Sequence, residues 1–358
     1  MTMRRAWAVA VLALAAVTGI SGARAQSGED TRFKGVTLRV ATWGGATRDA
    51  LRDYVGAELE KRGAKVEFVI GSPQDNLAKL IAARGQVPFD VVEFLGTMRP
   101  EIEARNLLAP LDMSRIPNAR GLKVEPPSKL MVPTWITEET IMYNKEAFAK
   151  AGIAPPKSLA DLRDPKLAGR VMIPDIASGG GIESVGAFAL TAGGNEGNIG
   201  PGLALINQIP NVRFWKAGGE VVTQFKSGDI WAAVAHAGWA LRTSQAGVPI
   251  ATVRAKIGDH EGMVKEGFVG VVKGSRNQEA AEFFINTYLS PEAQAKFALK
   301  VGAVPVVQAA RSRMADDPTL RELVVLDPAK IANMVRLDPS KIDLAKWNDE
   351  WNRTVASR

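Results

Sequence analysis

Short β-branched runs alternate with amphipathic helical stretches along most of this 358-residue chain, and that alternation limits the available folds more than any other feature. Residues 36–42 (VTLRVAT) read as a strand. Residues 48–62 place Leu51, Tyr54, Val55, Ala57 and Leu59 at helical spacing and stop before Gly63, which predicts one helix with a glycine end. A second strand at 65–70 (KVEFVI) leads to a helix over 74–84 that closes at Gly85. Residues 89–95 (FDVVEFL) are nearly continuous in apolar side chains, the pattern of a strand buried on both faces. The order then restarts. RVMIPD at 170–175 reads as a strand, followed by Ser178-Gly179-Gly180-Gly181 and a helix over 182–192. Residues 221–227, DIWAAVAHAG and PIATVRA form another strand-and-helix set, and 266–272 read as a strand before a helix over 278–289. Ser290-Pro291-Glu292 has the cap serine, first-turn proline and acid of a helix start. Trp347 and Trp351, four apart in a helical tail, are expected to cover a core edge.

Alternation of this kind gives α/β layers, each a mostly parallel sheet flanked by helices, and its restart points to two lobes. In open α/β sheets ligands sit beyond the carboxyl ends of strands. Trp43-Gly44-Gly45, the stretch 94–97 and Ser178–Gly181 all lie at such ends, from both halves, so one inter-lobe site is expected.

The N-terminus predicts export. Arg4 and Arg5 precede twelve apolar residues from Ala6 to Val17, and Ala23-Arg24-Ala25 completes a signal peptide over 1–25, with cleavage expected between Ala25 and Gln26. Twelve residues span roughly 18 Å as a helix, short of a bilayer core of about 30 Å. Removing Arg4, Arg5 and Arg24 lowers the formal charge from +7 to +4, without a basic cluster, which argues against nucleic acid as a partner. The chain has no cysteine and two histidines, so thiol nucleophiles are excluded and a histidine-based triad has few ways to form. G-x-S-x-G, H-E-x-x-H and the Walker lysine motif are absent, and no His/Cys cluster suggests a metal or cofactor.

Several longer stretches, TWGG, FDVV, VPTWITEETIMYNKEAFAKAGI, SLADLRDPKLAGRV, FKSGDIWAAVAHAGWAL and LSPEAQAKFALKVGAVPV, occur in the order found in the type II periplasmic solute-binding proteins of ABC importers, and the chain resembles that family over nearly its whole exported length. The resemblance is nearest to the spermidine/putrescine-binding proteins. It implies two lobes joined at a hinge by crossover strands, lobe 1 from 26–133 plus about 268–310 and lobe 2 from 134–267 plus about 311–358. It also implies a monomer that closes on a small solute and delivers it to an inner-membrane permease, with ATP hydrolysis on another chain. An exported enzyme on the same two-lobed fold is the alternative of another class, with Glu183 or Glu266 as its carboxylates.

Polyamine binders hold ammonium groups with carboxylates and cover the methylene chain with aromatic rings. Trp43 matches the family's first-strand aromatic, and Trp135 lies where the family has another. Other positions depart. Ser178 stands where the resemblance implies a second acid, His236 where it implies a tryptophan, with Trp239 one turn later. Lys265-Glu266-Gly267 replaces the late W-x-D. These changes favour an anionic or zwitterionic ligand, such as an amino acid, carboxylate, phosphonate or sulfonate. Ser178, Gly179 and Gly180 before a helix are expected to hold its anionic group. Trp43 and Trp135 would cover its organic part over the space left by Gly44 and Gly45. Glu93, Asp175 or Glu266 would hold an amine, with Thr97 and Thr137 as hydroxyl contacts. Spermidine or putrescine binding stays open. His236 reads equally as a buried core histidine, and Trp135 as hinge packing. Trp231 and Trp239, eight apart, predict one interior tryptophan on a shared helix, Glu138-Glu139 a solvated face, and His260 a loop residue in solvent.

Overall fold

The structure is a computed structural model that describes residues 30–314, 317–324 and 327–355. The signal peptide over 1–25 and its cleavage bond lie outside the described residues.

Eleven strands form one sheet that runs through both halves of the molecule. In the first half, β1 (Thr37–Thr42) pairs in parallel with β2 (Lys65–Ile70) and with β3 (Val91–Leu95). All five residues of β3 are buried, as its nearly continuous apolar run predicts, with Glu93 buried among them. The chain then enters β4 (Val132–Asn144), and the second half adds β5 (Val171–Pro174), β6 (Arg213–Trp215), β7 (Ala232–His236) and β8 (Ile250–Val253). Here β5 pairs in parallel with both β6 and β7. Finally β9 (Met263–Val272) returns antiparallel between β3 and β4, giving the order β2-β1-β3-β9-β4-β7-β5-β6.

β4 and β9 are the crossovers. The first part of β4 pairs with β9, and its second part pairs with β7 and β8. Twelve of its thirteen residues are buried, because each half of the molecule covers part of it. Glu138 and Glu139 are therefore not a solvated face: they are 1% and 4% exposed. Strand alternation points them to opposite faces, where each meets its own cation. Glu138 pairs with Arg254 at 2.8 Å and Glu139 with Lys265 at 3.3 Å. A buried carboxylate needs such a partner.

The stretch expected as one helix over 48–62 is divided: Ala46–Leu51 is α-helical, Arg52–Gly56 forms a wider π-turn, and Ala57–Glu60 completes it. Trp231 and Trp239 do not share a helix, because β7 lies between them. Trp231 carries the Arg170 guanidinium on its ring at 4.9 Å instead. His260 is exposed, with a ring nitrogen 2.9 Å from the Asn333 carbonyl. Trp347 and Trp351 on the helix Leu344–Thr354 are both 1% exposed in the core of the second half. Met314, Leu320 and Met334 join the core of the first half, while the helix Pro318–Leu323 packs on Ala237–Gln245.

Candidate functional site

A cavity of about 510 Å³ opens between the two halves, bounded by strand ends from both and floored by one face of the crossovers. From the first half come Trp43, Gly44, Gly45 and Thr47 after β1, with Ile70, Gly71 and Ser72 at the end of β2. The second half supplies Trp215 and residues 216–219 after β6, Gly179 after β5, and His236, Trp239 and Arg242 at and after the end of β7. Trp135 and Thr137 of β4 and Lys265 of β9 form the floor. Alternate residues of a strand share a face, which brings Trp135, Thr137 and Glu139 together, and register places Lys265 opposite Thr137 and His236 opposite Glu139.

Tryptophans dominate the apolar wall. Trp43 and Trp135 meet edge to face with centroids 5.5 Å apart. Trp43 leaves β1 just before Gly45, whose φ of +62° suits glycine, so the chain turns sharply into the following helix with the indole over the cleft. Two other glycines seat rings by close approach: Gly267 lies under the Trp135 indole and Gly218 under that of Trp239, and a methyl group at either would overlap the ring.

The charges on this wall have one sign. Arg242, Lys265 and the exposed Lys216 line it, and no carboxylate does among the described residues. Arg242 stacks on Trp239 at 3.8 Å. Its Nε donates to the Gly238 carbonyl and one Nη to the Val301 carbonyl, both at 2.9 Å. It has no acidic partner among the described residues, and burial pulls its pKa down to about 10. A guanidinium has five N–H donors, so the remainder are available to a ligand. His236 caps the helix Ala237–Gln245 by accepting the Gly238 N–H at Nδ1 (3.2 Å), which leaves Nε2 to carry the proton of the neutral ring. Burial, reinforced by Lys265 and Arg242, holds its pKa well below the ordinary value, so the ring is neutral.

Of the residues expected at the site, Trp43, Gly44, Gly45, Trp135, Thr137, Gly179, His236 and Trp239 are brought together on the cavity wall. Glu93, Thr97, Ser178, Gly180 and Glu266 are not on it. Glu93 is buried one layer behind, accepting from Thr42 and Tyr288. Thr97 donates to Glu183 at 3.1 Å across the cleft. Glu266 faces Arg336 at 3.6 Å, and Asp175 turns back to accept the Ala177 N–H. Ser178 is buried, accepting the Gly180 N–H on its hydroxyl and the Gln74 side chain on its carbonyl. The carboxylate beside the start of the helix Gly181–Thr191 is the protein's own Glu139, bonded to the Ser184 hydroxyl at 3.3 Å. Burial raises the pKa of both Glu139 and Glu183.

Arg242 was legible as the residue three after Trp239, on the same helix face. Lys265 was visible as the replacement in K-E-G, but its aim into the cleft depends on the β4 register. Trp215 gave no signal beyond its residue type. Among the described residues, no cluster of three or more His, Asp or Glu is placed to hold a metal ion.

Known proteins share this architecture. The profile of the bacterial extracellular solute-binding protein family matches residues 44–295. A gamma-aminobutyric acid-binding protein of Pseudomonas aeruginosa is 24% identical over 318 residues, covering 84% of this chain and 85% of that protein. A solved structure described as a putative spermidine/putrescine ABC transporter from Listeria monocytogenes superposes with a TM-score of 0.77 at 21% identity, covering 90% of this chain and 99% of the other. A binding protein of A. tumefaciens R10, solved with agropinic acid, gives a TM-score of 0.69 at 20% identity, covering 90% and 97%. The α/β architecture is that of the two-lobed periplasmic binding proteins. With a match reaching from the first cleft loop into the helix Pro291–Val301, this chain belongs to the bacterial extracellular solute-binding protein family.

Proposed function

We propose that the chain is the exported solute-capturing component of an ABC importer, and that its cavity takes a small organic anion or zwitterion by the anionic group. The observation that carries this reading is the one-signed wall: among the described residues Arg242 faces the cavity without an acid, Lys265 joins it, and no carboxylate lines the space. A carboxylate, phosphonate or sulfonate on Arg242 gains charge-assisted hydrogen bonds, whereas a desolvated ammonium would find no counter-charge on the wall. The four tryptophans suit an apolar or aromatic body. Gamma-aminobutyric acid and agropinic acid, named with two similar proteins, are both acids, which supports the same direction. In this reading lobe 1 comprises 26–133 with about 268–310, and lobe 2 comprises 134–267 with about 335–358, the segment between packing on the first-half core through Met314, Leu320 and Met334. The hinge lies in β4 and β9, and a membrane permease with a separate ATPase receives the solute. The protein works as a monomer in the periplasm and returns its ligand unchanged.

A thermal-shift screen of protein beginning at Gln26, against carboxylates, phosphonates, sulfonates, amino acids and polyamines, tests it. A ligand at 100 times its Kd stabilises by about 2.7 kcal/mol. The expected outcome is stabilisation by members of the anionic or zwitterionic sets, abolished by Arg242→Met. Stabilisation by spermidine or putrescine alone, or turnover of the bound compound, would overturn the reading.

A further inference from the structure

We infer that the ligand carries a second acceptor or anionic group and no ammonium, and that Lys265, Thr137 and His236 on the crossover floor select it. This rests on the reading that Arg242 holds the first anionic group. Lys265 is 4% exposed, lies on the cavity wall and spends one of its three donors on Glu139, 3.3 Å away. Thr137, directly opposite it in the β4–β9 register, is 3% exposed and lines the same cavity, yet its Oγ1 has no hydrogen-bond partner. A buried hydroxyl left unpaired carries a desolvation cost that a bound acceptor removes. His236 is neutral with Nδ1 engaged, so Nε2–H is its remaining polar group. Every side-chain group on this floor can therefore donate. Two acids lie nearby and neither is on the wall: Glu139 is taken up by Lys265 and Ser184, and Glu183, also within electrostatic reach of Lys265, accepts from Thr97. An ammonium placed here would meet Lys265 without a free carboxylate. A second carboxylate would meet three donors. The ligand class is thus a compact dianion, or an anion whose other end is a strong acceptor, with an apolar middle against the tryptophans.

Calorimetric titration of matched sets tests this directly. One aliphatic set is glutarate, 4-aminobutanoate and butanoate, extended over dicarboxylates from malonate to suberate. An aromatic set is terephthalate, 4-(aminomethyl)benzoate and benzoate. At least one dicarboxylate is expected to bind about tenfold or more tighter than both its ω-ammonium and its monoanionic counterparts. Exchanging the ion pair as a unit, Lys265→Met with Glu139→Gln, avoids stranding a buried charge and should erase that preference. Lys265→Arg should retain much of it. Thr137→Val should weaken the dicarboxylate several-fold without lowering the thermal midpoint. Thr140→Val, an equally unpartnered hydroxyl on the opposite face of β4 and off the cavity, should leave binding unchanged. Tighter binding of an ω-amino acid, or no binding by any dicarboxylate, overturns the inference. Equal binding of mono- and dianions that depends on Arg242 also overturns it, while leaving the Arg242 reading intact. Binding that is indifferent to Arg242→Met removes both.

Discussion

Glu93 shows how a side chain off the cavity can still shape it. Its carboxyl sits behind the floor beside the wall residue Trp135 and accepts hydrogen bonds from Thr42 and Tyr288. Burial raises its pKa from the ordinary 4.5 to about 7, against the downward pull of those donors. A raised carboxyl pKa means that the folded form binds the proton more tightly than the unfolded chain. Its stabilising contribution is complete below pH 4.5 and disappears as pH rises through about 7, an effect on the order of 3 kcal/mol. Glu93→Gln should therefore flatten the fall in urea midpoint between pH 4.5 and 7 relative to the unsubstituted protein. Parallel pH profiles of the two proteins would show that Glu93 titrates elsewhere. Gly218 acts through a neighbour in the same way. Its backbone φ of −60° accepts alanine, but the added methyl must displace the Trp239 ring and, with it, the stacked Arg242. Gly218→Ala is expected to raise the Kd of whichever anion binds best by about tenfold, with little change in thermal midpoint. An unchanged Kd would mean that the Trp239–Arg242 stack is not part of the binding surface.

At the scale of elements, the strand ends and most of the crossover β9 were readable as strands, and the crossover β4 was not. The runs at 36–42, 65–70 and 89–95 each declare their strand through local pattern, because one lobe alone buries them. β4 has no such pattern. Its TEET stretch looks like a solvated turn until the two faces are assigned to different neighbours, which sit more than a hundred residues away at Arg254 and Lys265. The charge that makes Glu138 buriable is thus invisible to any window of sequence. For the same reason the cavity wall was only partly legible. Trp43 and Trp239 announce themselves by size beside glycine or at a helix start, whereas the anion-holding role expected of Ser178–Gly180 gives way to Glu139, which only the fold brings there. The crossover reading has a stability consequence. Arg254→Met leaves the Glu138 carboxylate without its 2.8 Å ion-pair partner in a site that is 1% exposed. Arg254 itself is about a quarter exposed, so water screens part of the pair. The expected loss is on the order of 2–3 kcal/mol in urea denaturation, recovered in good part by adding Glu138→Gln. If the single substitution is neutral, the pair does not support the hinge.

A short seam of side-chain bonds joins the two halves beside the cavity. Thr97, just after β3, donates to Glu183 on the first turn of the helix after β5, at 3.1 Å. Gln74, on the helix after β2, reaches the Ser178 carbonyl at 3.2 Å. Trp43 abuts Gly179 at the same seam. Beyond this seam the halves also meet where Arg242 donates to the Val301 carbonyl and where the helix Pro318–Leu323 packs on Ala237–Gln245, and the crossover strands run between them. Buried hydrogen bonds contribute about 0.5–1.5 kcal/mol each, more where one partner is charged. Because about 1.4 kcal/mol is a factor of ten in an equilibrium, losing both should move the closed-to-open ratio by one to two orders of magnitude. The double substitution Thr97→Val with Gln74→Ala tests this, and because burial raises the pKa of the Glu183 carboxyl, losing its donor costs less than it would for an acid with an ordinary pKa. Small-angle scattering of the free variant should give a larger radius of gyration than the free unsubstituted protein. Saturating ligand should bring the two together, at the cost of a weaker apparent affinity, because binding must now supply the closure free energy that the seam provided. Identical free-state scattering would show that the strands, rather than the seam, set the angle between the halves. A variant that stays expanded with ligand bound would show that the cavity can be filled without closure.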